Sequence, residues 1–383
     1  MTIRANWNYP NAVRFGAGRV KELADACAVA GIARPLFVTD PGLVDLPMTK
    51  AAVEGVRAAG LPVAVFSDVK GNPVDGNVTA GLAAFKAGGC DGVICFGGGS
   101  ALDVGKVIAF MAGQNRPMWD FEDIGDWWTR ADPAGIAPNI CVSTTAGTGS
   151  EVGRAGVITH EETHTKKVIF HPKMMPSVTI LDPELTVGLP PKITAWTGMD
   201  ALAHCVEALS APGFHPMAEG IAVEGIRLVK ENLVRAVKTG ADLDARGAML
   251  VAASMGATAF QKGLGGIHAL SHPVGAIYDP HHGLTNAVFM PYVLAFNRSA
   301  IEDKIARTAA FIGLDRSFDA FMDWILALRA EIDIPPTLAG LGVDDSRLDE
   351  IVAKAIVDPT AGGNPLPLTA DAARSIFLAA LRG

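Results

Sequence analysis

The pattern of apolar residues changes once along the chain, near residue 188, and this change limits the folds that the chain can adopt. Before it, short apolar runs of strand length alternate with stretches of helical periodicity; beyond it, helical periodicity continues with almost no strand signal. The predicted strands are Leu36–Thr39, Val63–Phe66, Val93–Phe96, Ile140–Ser143 and Val178–Leu181. Continuous apolar strands separated by helices indicate a parallel sheet covered on both faces.

The helical stretches complete this division of the chain. Those of the first half are Ala17–Ala30, Met48–Ala59, Asn77–Ala87 and Ala101–Met111. Those of the second half are Thr194–Ser210, Met217–Lys238, Ala245–Gln261, Leu284–Phe296, Ile301–Ile312, Phe318–Leu328 and Ala370–Leu381. We therefore expect an α/β domain of dinucleotide-binding type at residues 1–188, followed by an all-helical domain at residues 189–383.

Composition excludes several classes of protein. Hydrophobic residues make up 49% of the 383 residues and charged residues 19%, which indicates a large buried core rather than disorder. A net charge of −8 without a basic cluster argues against nucleic acid as a partner. No apolar run reaches the length of about 18 residues that a membrane span needs, and the five cysteines are scattered. We expect a cytoplasmic protein with no membrane partner.

Histidines are concentrated in one stretch, residues 265–283, which contains four of the nine in the chain. His268 and His272 are four residues apart, so a helix would present both on one face. Asp200 and His204 form a second pair with the same spacing on another predicted helix. One such pair is most often part of a packed core, whereas two pairs together favour a metal site. One carboxylate with several imidazoles suits iron, zinc or nickel.

Two polar loops follow predicted strands, where open parallel sheets bind their ligands. Gly97-Gly98-Gly99-Ser100 opens a helix, whose N-terminus can hold a phosphate, although a tight strand-to-helix turn explains the glycines equally well. The segment from Ser143 to Ser150 is rich in hydroxyl groups and glycine. Asp40 ends another strand, where it can accept hydrogen bonds from a ribose or simply precede a proline turn.

Together these features resemble the iron-containing, or group III, alcohol dehydrogenases, including the lactaldehyde/1,2-propanediol-type and short-chain members, over essentially the whole chain. The matching motifs are Val13-Arg14-Phe15-Gly16-Ala17-Gly18, Thr39-Asp40, Gly97-Gly98-Gly99-Ser100 with Asp103 and Lys106, residues 144–151, Gly198-Met199-Asp200-Ala201-Leu202-Ala203-His204, the segment from His268 to His282, and Gly362-Gly363-Asn364-Pro365. One departure is Gly71-Asn72-Pro73-Val74, where the family usually has Pro-Asn-Pro-Thr near the cofactor.

The resemblance implies a role for each candidate residue. It implies that the metal ligands are Asp200, His204, His268 and His282. It implies that His272 faces the substrate and the nicotinamide without binding the metal, and it gives His281 no role. It places around NAD the residues Asp40, Gly97, Gly98, Gly99, Ser100, Thr144, Thr145, Thr148 and Leu181. One lysine of the Lys166-Lys167 pair should approach the ribose; alignment to Pro172 favours Lys166.

The implied fold is that of dehydroquinate synthase, and the implied activity is that of an NAD- and Fe²⁺-dependent oxidoreductase. Such an enzyme interconverts a small primary alcohol or diol with its aldehyde by metal-polarised hydride transfer, with His272 as a proton relay. An Asp/His₃ site would accept Zn²⁺ as well. A homodimer or larger homo-oligomer is expected, with the segment Asn8–Phe15 as the pairing strand.

Three other functions compete with this one. A dehydroquinate-synthase-like lyase that uses NAD and zinc would need lysines and arginines clustered around the metal motifs, and the helical half shows no such cluster. An enzyme similar to maleylacetate reductase would have an altered metal site, whereas all four ligands are retained here. A non-catalytic metal- or nucleotide-binding protein would have no use for His272 beside a complete ligand set.

Overall fold

The computed structural model describes residues 5–7, 11–163 and 165–383 of the chain. The chain divides into two compact units. The first consists of Met1–Thr145 and Gly149–Val187, and the second of Ala146–Thr148 and Gly188–Gly383. Within the described ranges, no helix is both long and apolar enough to cross a membrane.

The first unit is built on a seven-stranded sheet. Its strands are β1 (Ala5–Trp7), β2 (Ala12–Phe15), β3 (Pro35–Val38), β4 (Ala64–Phe66), β5 (Gly92–Gly97), β6 (Asn139–Ser143) and β9 (Val178–Leu181), in the order β1-β2-β9-β6-β5-β3-β4. The pair β1–β2 is antiparallel and every other pair is parallel. The five strands predicted from apolar runs are therefore present. Of the segment Asn8–Phe15, residues 8–10 lie outside the described residues.

Four helices cover this sheet: α1 (Leu23–Ala30), α2 (Pro47–Ala58), α3 (Asp75–Ala87) and α4 (Gly99–Met111). Alternate side chains of each strand enter opposite cores. In β5, Val93 and Cys95 pack with α3 and α4, whereas Ile94 and Phe96 pack with α1 and α2. Strands β3, β5, β6 and β9 are buried on both faces and are therefore predominantly apolar, which made them recognisable in the sequence.

One part of the first unit was not predicted. An antiparallel hairpin consists of β7 (Ala155–His160) and β8 (Thr165–Phe170). Ile158 and Ile169 join the core with α4, but most other side chains of the two strands are only half-buried. Each strand contains only a short apolar run, residues 157–158 in β7 and residues 168–170 in β8, which is too short to indicate a strand by itself.

The regular structure of the second unit, in its described residues, is helical. Its helices are α5 (Pro191–Ser210), α6 (Pro216–Lys238), α7 (Leu243–Ala259), α8 (Gly266–Tyr278), α9 (His282–Phe311), α10 (Phe318–Glu331), α11 (Leu348–Ala355) and α12 (Ala370–Arg382). Helix α5 packs against α6, α7 and α9 and is buried on nearly all sides. The predicted fold class, a parallel-sheet domain followed by an all-helical one, is confirmed.

The prediction of two helices, Leu284–Phe296 and Ile301–Ile312, is wrong, because both belong to the continuous helix α9. The polar residues between them resemble a loop in sequence, but their side chains bond sideways to other elements. The Asn297 amide bonds to Asn364, and Arg298 pairs with Asp319 at the start of α10. Helix α11, which is short, was not predicted at all.

Candidate active site

The predicted coenzyme residues of the first unit follow four neighbouring strands. Strands β9, β6, β5 and β3 are adjacent in that order and parallel, so their carboxyl ends lie along one edge of the sheet. The residues along this edge are Leu181 at the end of β9, Thr144 and Thr145 after β6, Gly97 at the end of β5, Gly98, Gly99 and Ser100 at the start of α4, and Asp40 after β3. Thr148 belongs to the second unit.

The glycine at the end of β5, Gly97, leaves no room for a side chain. Gly97 has a φ of 149°, and a Cβ on it would lie 2.8 Å from the Cβ of Ala101. Gly98 is the N-cap of α4 and provides no side-chain cap, so the first N–H groups of the helix can bind an anion. The Ser100 hydroxyl donates to the carbonyl of Gly71 at 2.6 Å, which fixes the loop that departs from the family pattern.

Asp40 is a half-buried carboxylate beside this segment. Its Oδ1 accepts the N–H groups of Gly42 at 2.9 Å and of Leu43 at 3.1 Å, which fix its orientation. Its Oδ2 lies 3.5 Å from where a Cβ on Gly97 would be. Burial raises the pKa of Asp40, although the two N–H bonds oppose this change. A carboxylate held in this way can accept hydrogen bonds from ribose hydroxyls and would repel a phosphate.

The two candidate lysines lie next to each other on β8, so they point to opposite faces of the hairpin. Lys167 is engaged in an ion pair, with its Nζ 2.8 Å from Oε2 of Glu122. The same ammonium lies 5.5 Å from the centre of the Trp119 ring. These contacts hold Lys167 on the face of the hairpin opposite to that of Lys166.

Two other residues of the glycine motif hold the hairpin against α4. Lys106 is buried, and its Nζ donates to the carbonyl of Ser150 at 2.9 Å and to that of Ala155. Asp103 accepts bonds from the hydroxyl of Ser150 and from the N–H of Val157. The polar residues of this helix therefore satisfy buried backbone groups.

In the second unit, the four predicted metal ligands converge from three helices. Asp200 and His204 lie one turn apart on α5, His268 lies on α8, and His282 is the first residue of α9. Asp200, His204 and His268 are buried, and their donor atoms lie within 4.8 Å of one another.

Distances within this group suit a single ion. The distance from Oδ1 of Asp200 to the Nε2 atom is 3.7 Å for His282, 3.9 Å for His204 and 4.0 Å for His268. Ligand atoms about 2.1 Å from a common ion lie roughly 3 to 4.2 Å apart, depending on the geometry. The donor set, one carboxylate oxygen and three imidazole nitrogens, therefore fits a divalent transition metal.

Neighbouring groups adjust the imidazoles for this purpose. Burial lowers the pKa of His204, against the opposing effect of Asp200, so its ring is neutral and carries a lone pair at neutral pH. Burial would lower the pKa of His268 too, but the carboxylate of Glu207 outweighs it and raises the pKa. A carboxylate bonded to the far nitrogen of an imidazole fixes its tautomer and makes it a more basic ligand.

Two glycines allow the helices to approach closely enough for the ligands to meet. A Cβ on Gly283 would lie 2.2 Å from the carbonyl oxygen of Trp196 and 2.9 Å from the Cβ of Asp200. A Cβ on Gly256 would lie 2.9 Å from the Cβ of His204. The glycine after His282 therefore lets the start of α9 pack directly against α5.

Sequence reasoning missed two side chains that hold the ligands. Glu207 bonds Nδ1 of His268 through Oε2 and accepts the N–H of Ile267 through Oε1 at 2.7 Å. The Nδ2 of Asn286 lies 2.8 Å from Oδ1 of Asp200, and 3.1 and 3.2 Å from Nε2 of His282 and His268. Helical spacing was the available signal, since Glu207 follows His204 by three residues and Asn286 follows His282 by four.

The other two histidines of the cluster have different surroundings. The ring of His272 is stacked on that of His282, with centroids 5.5 Å apart, and its Nδ1 is 2.8 Å from Oδ2 of Asp358. His281 is the N-cap residue of α9 and packs on Trp196, with ring centroids 5.1 Å apart. Asp358 was not predicted, and its distance along the chain gave no signal.

The Gly-Gly-Asn-Pro motif near the C-terminus supports α8. Oδ1 of Asn364 accepts the N–H of Gly266, the first residue of α8, at 3.0 Å, and its amide pairs reciprocally with that of Asn297. A Cβ on Gly363 would lie 2.0 Å from the carbonyl oxygen of Leu264. The motif therefore caps the helix that carries His268 and His272.

Comparisons with known proteins identify the family of the chain. Residues 10–183 match the sequence model for the family described as "Iron-containing alcohol dehydrogenase", and residues 194–381 match "Fe-containing alcohol dehydrogenase family, C-terminal". The chain is 39% identical over 368 residues to 4-hydroxybutyrate dehydrogenase of Cupriavidus necator, a match that covers 93% of this chain and 94% of that protein.

Two solved structures are similar along the whole chain. A 1,3-propanediol oxidoreductase has a TM-score of 0.92 and 36% identity, with 100% of both chains covered. The sulfoacetaldehyde reductase of Bifidobacterium kashiwanohense, in complex with NAD⁺, has a TM-score of 0.89 and 30% identity, with 100% of this chain and 99% of that one covered. The predicted family and enzyme class, an NAD-dependent oxidoreductase of alcohols and aldehydes, are confirmed. The chain belongs to the iron-containing alcohol dehydrogenase family.

Proposed function

We propose that the second unit binds one ferrous ion through Asp200, His204, His268 and His282. The observation that supports this most strongly is the convergence of three buried donors, Asp200, His204 and His268, with Nε2 of the partly exposed His282 3.7 Å from Asp200 and the outer nitrogen of His268 held by Glu207. Zn²⁺ would fit the same donors, so the choice of iron rests on the family. In the domain division that we propose, residues 189–383 form the iron-binding domain.

We propose further that residues 1–188 form the NAD-binding domain. Gly97, Gly98 and Gly99 with the start of α4 would hold the pyrophosphate, and Asp40 would accept the ribose hydroxyls. Hydroxyl and apolar groups from the neighbouring strand ends, with Lys166, would complete the site. These groups are Ser100, Thr144, Thr145, Thr148 and Leu181. Asp40 favours NAD over NADP, because its charge would repel a 2′-phosphate.

When bound, the ferrous ion supplies Lewis acidity and NAD supplies a hydride acceptor. The residues of the chain supply orientation and proton transfer. His272 accepts the hydroxyl proton of the alcohol and passes it to solvent, or donates it during aldehyde reduction. Its Nδ1 faces Asp358, so Nε2 is the nitrogen that can exchange this proton.

The substrates that we propose are short primary alcohols or diols and their aldehydes. The relatives named above act on 4-hydroxybutyrate, 1,3-propanediol and sulfoacetaldehyde. Each of these compounds is a short chain with one alcohol or aldehyde end and a second polar group at the other end. We expect this chain to prefer such substrates over simple alcohols of the same length. A cytoplasmic location and a homodimer or larger homo-oligomer remain part of the proposal.

Reconstitution tests this function directly. Metal-stripped protein is loaded anaerobically with Fe²⁺ or with Zn²⁺, and NADH absorbance is followed with 1-propanol, 1,3-propanediol, 4-hydroxybutyrate and the matching aldehydes. Activity with iron, and a higher kcat/KM for the substrates with a second polar group, would support the proposal. Silence with every substrate, despite one equivalent of bound metal, would contradict it and favour a lyase.

The ligand set has its own test. Substitution His268→Ala should abolish stoichiometric metal binding, measured by elemental analysis, because it removes a ligand from the centre of the group. NAD binding, measured by calorimetry, should be retained, because its proposed residues lie elsewhere. Retention of one tightly bound metal ion in this variant would rule out the assignment.

A further inference from the structure

His272 differs from the four proposed ligands in its exposure and in its partner. Its side chain is 20% exposed, compared with 2% for His268 on the same helix. Its ring lies against two ligands, with centroids 5.5 Å from that of His282 and 5.7 Å from that of His268. It therefore lies next to the proposed metal while one side remains within reach of water.

Asp358, the partner of Nδ1, is also held by hydrogen bonds that do not involve the imidazole. Oδ1 of Asp358 accepts the N–H of Thr360 at 2.9 Å and the hydroxyl of Thr360 at 2.6 Å, which leaves Oδ2 for His272. Burial would raise the pKa of Asp358, but His272 and Thr360 outweigh it and lower the pKa, so this carboxyl is charged. A charged carboxylate only accepts hydrogen bonds, so Nδ1 of His272 carries the proton.

The segment that carries Asp358 is fixed to α8 at both ends. At one end Asp358 bonds His272, and at the other Asn364 accepts the N–H of Gly266. The carboxylate and the imidazole are thus held in one geometry by contacts that do not involve a substrate or a metal. Such a carboxylate beside a histidine fixes its tautomer and stabilises its protonated form.

We propose that Asp358 is a positioning residue that keeps His272 in the Nδ1–H tautomer and directs the lone pair of Nε2 towards the substrate hydroxyl. This inference rests on the proposed function of His272 as the proton carrier. During alcohol oxidation the O–H bond breaks and an Nε2–H bond forms, while the Nδ1 proton stays between His272 and Asp358. The Nε2 proton then passes to solvent, which returns the ring to its starting tautomer.

Substitution Asp358→Asn tests this role because it inverts the tautomer. The backbone N–H of Thr360 still needs an acceptor, so the carbonyl of the new amide remains with it and the NH₂ group faces Nδ1 of His272. Nδ1 must then lose its proton and Nε2 must carry one. We expect kcat to fall by about 100-fold or more, as for the loss of a general base, with KM changed less than about threefold. Metal stoichiometry should not change.

A double-mutant cycle separates positioning from a general structural effect. If Asp358 acts only through His272, Asp358→Asn should lower kcat less than about threefold in a His272→Ala background. A full second loss in that background would overturn the proposal. The matched control is Asp344→Asn, which removes a carboxylate bonded to Tyr278 at the other end of α8 and should leave kcat unchanged.

A spectroscopic readout keeps this inference distinct from the proposed function. In Zn²⁺-loaded protein with ¹⁵N-labelled histidine, the ring signals of His272 are identified by their loss in His272→Ala. We expect a protonated Nδ1 in the native chain and a protonated Nε2 in Asp358→Asn. The same tautomer in both would overturn the inference even if the enzyme is active. The expected inversion would support it even if no alcohol is oxidised.

Discussion

Substitution Glu207→Gln should weaken metal binding, although Glu207 is not itself a proposed ligand. The carboxylate of Glu207 accepts two bonds, one from the N–H of Ile267 and one from Nδ1 of His268. Glutamine has the same shape but only one acceptor oxygen. Because the N–H of Ile267 can only donate a hydrogen bond, the carbonyl oxygen of the new amide should remain bonded to it. The NH₂ group then faces His268.

The size of the effect follows from these two bonds. With NH₂ facing Nδ1, His268 must move its proton to Nε2, the atom that is proposed to bind the metal. If the amide turned round, two donors would face each other in a buried site, at a cost of about 1 to 3 kcal/mol. Either arrangement should weaken metal binding by about 10- to 100-fold, which is the usual effect of losing such an orienting group.

Competition with a chromogenic chelator measures this affinity directly, with Zn²⁺ and anaerobically with Fe²⁺. The control is Glu302→Gln, which removes an exposed carboxylate paired with Arg298 and should leave metal affinity unchanged. The free energy of unfolding of the metal-free variant should be measured as well, to exclude a folding defect. Metal affinity within about twofold of the native value would refute the argument that Glu207 fixes the tautomer of His268.

Three further changes test other parts of the structure. Asp40→Ser should raise kcat/KM for NADP relative to NAD by about tenfold or more, through loss of like-charge repulsion; an unchanged ratio would contradict the role of Asp40. Gly283→Ala should lower Tm and metal affinity, since its Cβ would lie 2.2 Å from the carbonyl of Trp196, whereas Gly220→Ala, with open space around it, should not. Burial would raise the pKa of Glu219, but two lysine ammonium groups outweigh this effect and lower the pKa. Glu219 therefore stabilises the fold above pH 4.5, and this contribution to stability is lost as pH falls through the lowered pKa. The Glu219→Gln variant should therefore unfold more easily in urea at pH 7 and lose less stability on acidification. The same pH dependence of the free energy of unfolding in the variant and in the native chain would contradict this argument.

The parts of the molecule that were predictable are those where one physical requirement dominates the sequence. Strands β3, β5, β6 and β9 are buried on both faces, so their apolar character was unmistakable. The hairpin of β7 and β8 buries few side chains, and its apolar runs, residues 157–158 and 168–170, are too short to indicate strands by themselves. The continuity of α9 was missed because Asn297 and Arg298 are polar for reasons that depend on distant partners.

The same distinction applies to the site. Asp200, His204 and His268 could be selected as candidate metal ligands, because each has a side chain of the type that metals bind and lies four residues from another such side chain. Glu207 and Asp358 are ordinary acidic residues in sequence, and only the tertiary structure brings their carboxylates to the outer nitrogens of two histidines.

Helix α8 shows why ligand geometry and fold cannot be separated in this unit. Its N-cap, Gly265, has no side chain, so two of its first N–H groups are satisfied from elsewhere. Asn364 accepts the N–H of Gly266, and Glu207 accepts that of Ile267. The carboxylate that caps the helix is also the one that orients His268. The contact that holds α8 against α5 thus sets both the position and the tautomer of a proposed ligand, and one carboxylate serves the fold and the site together.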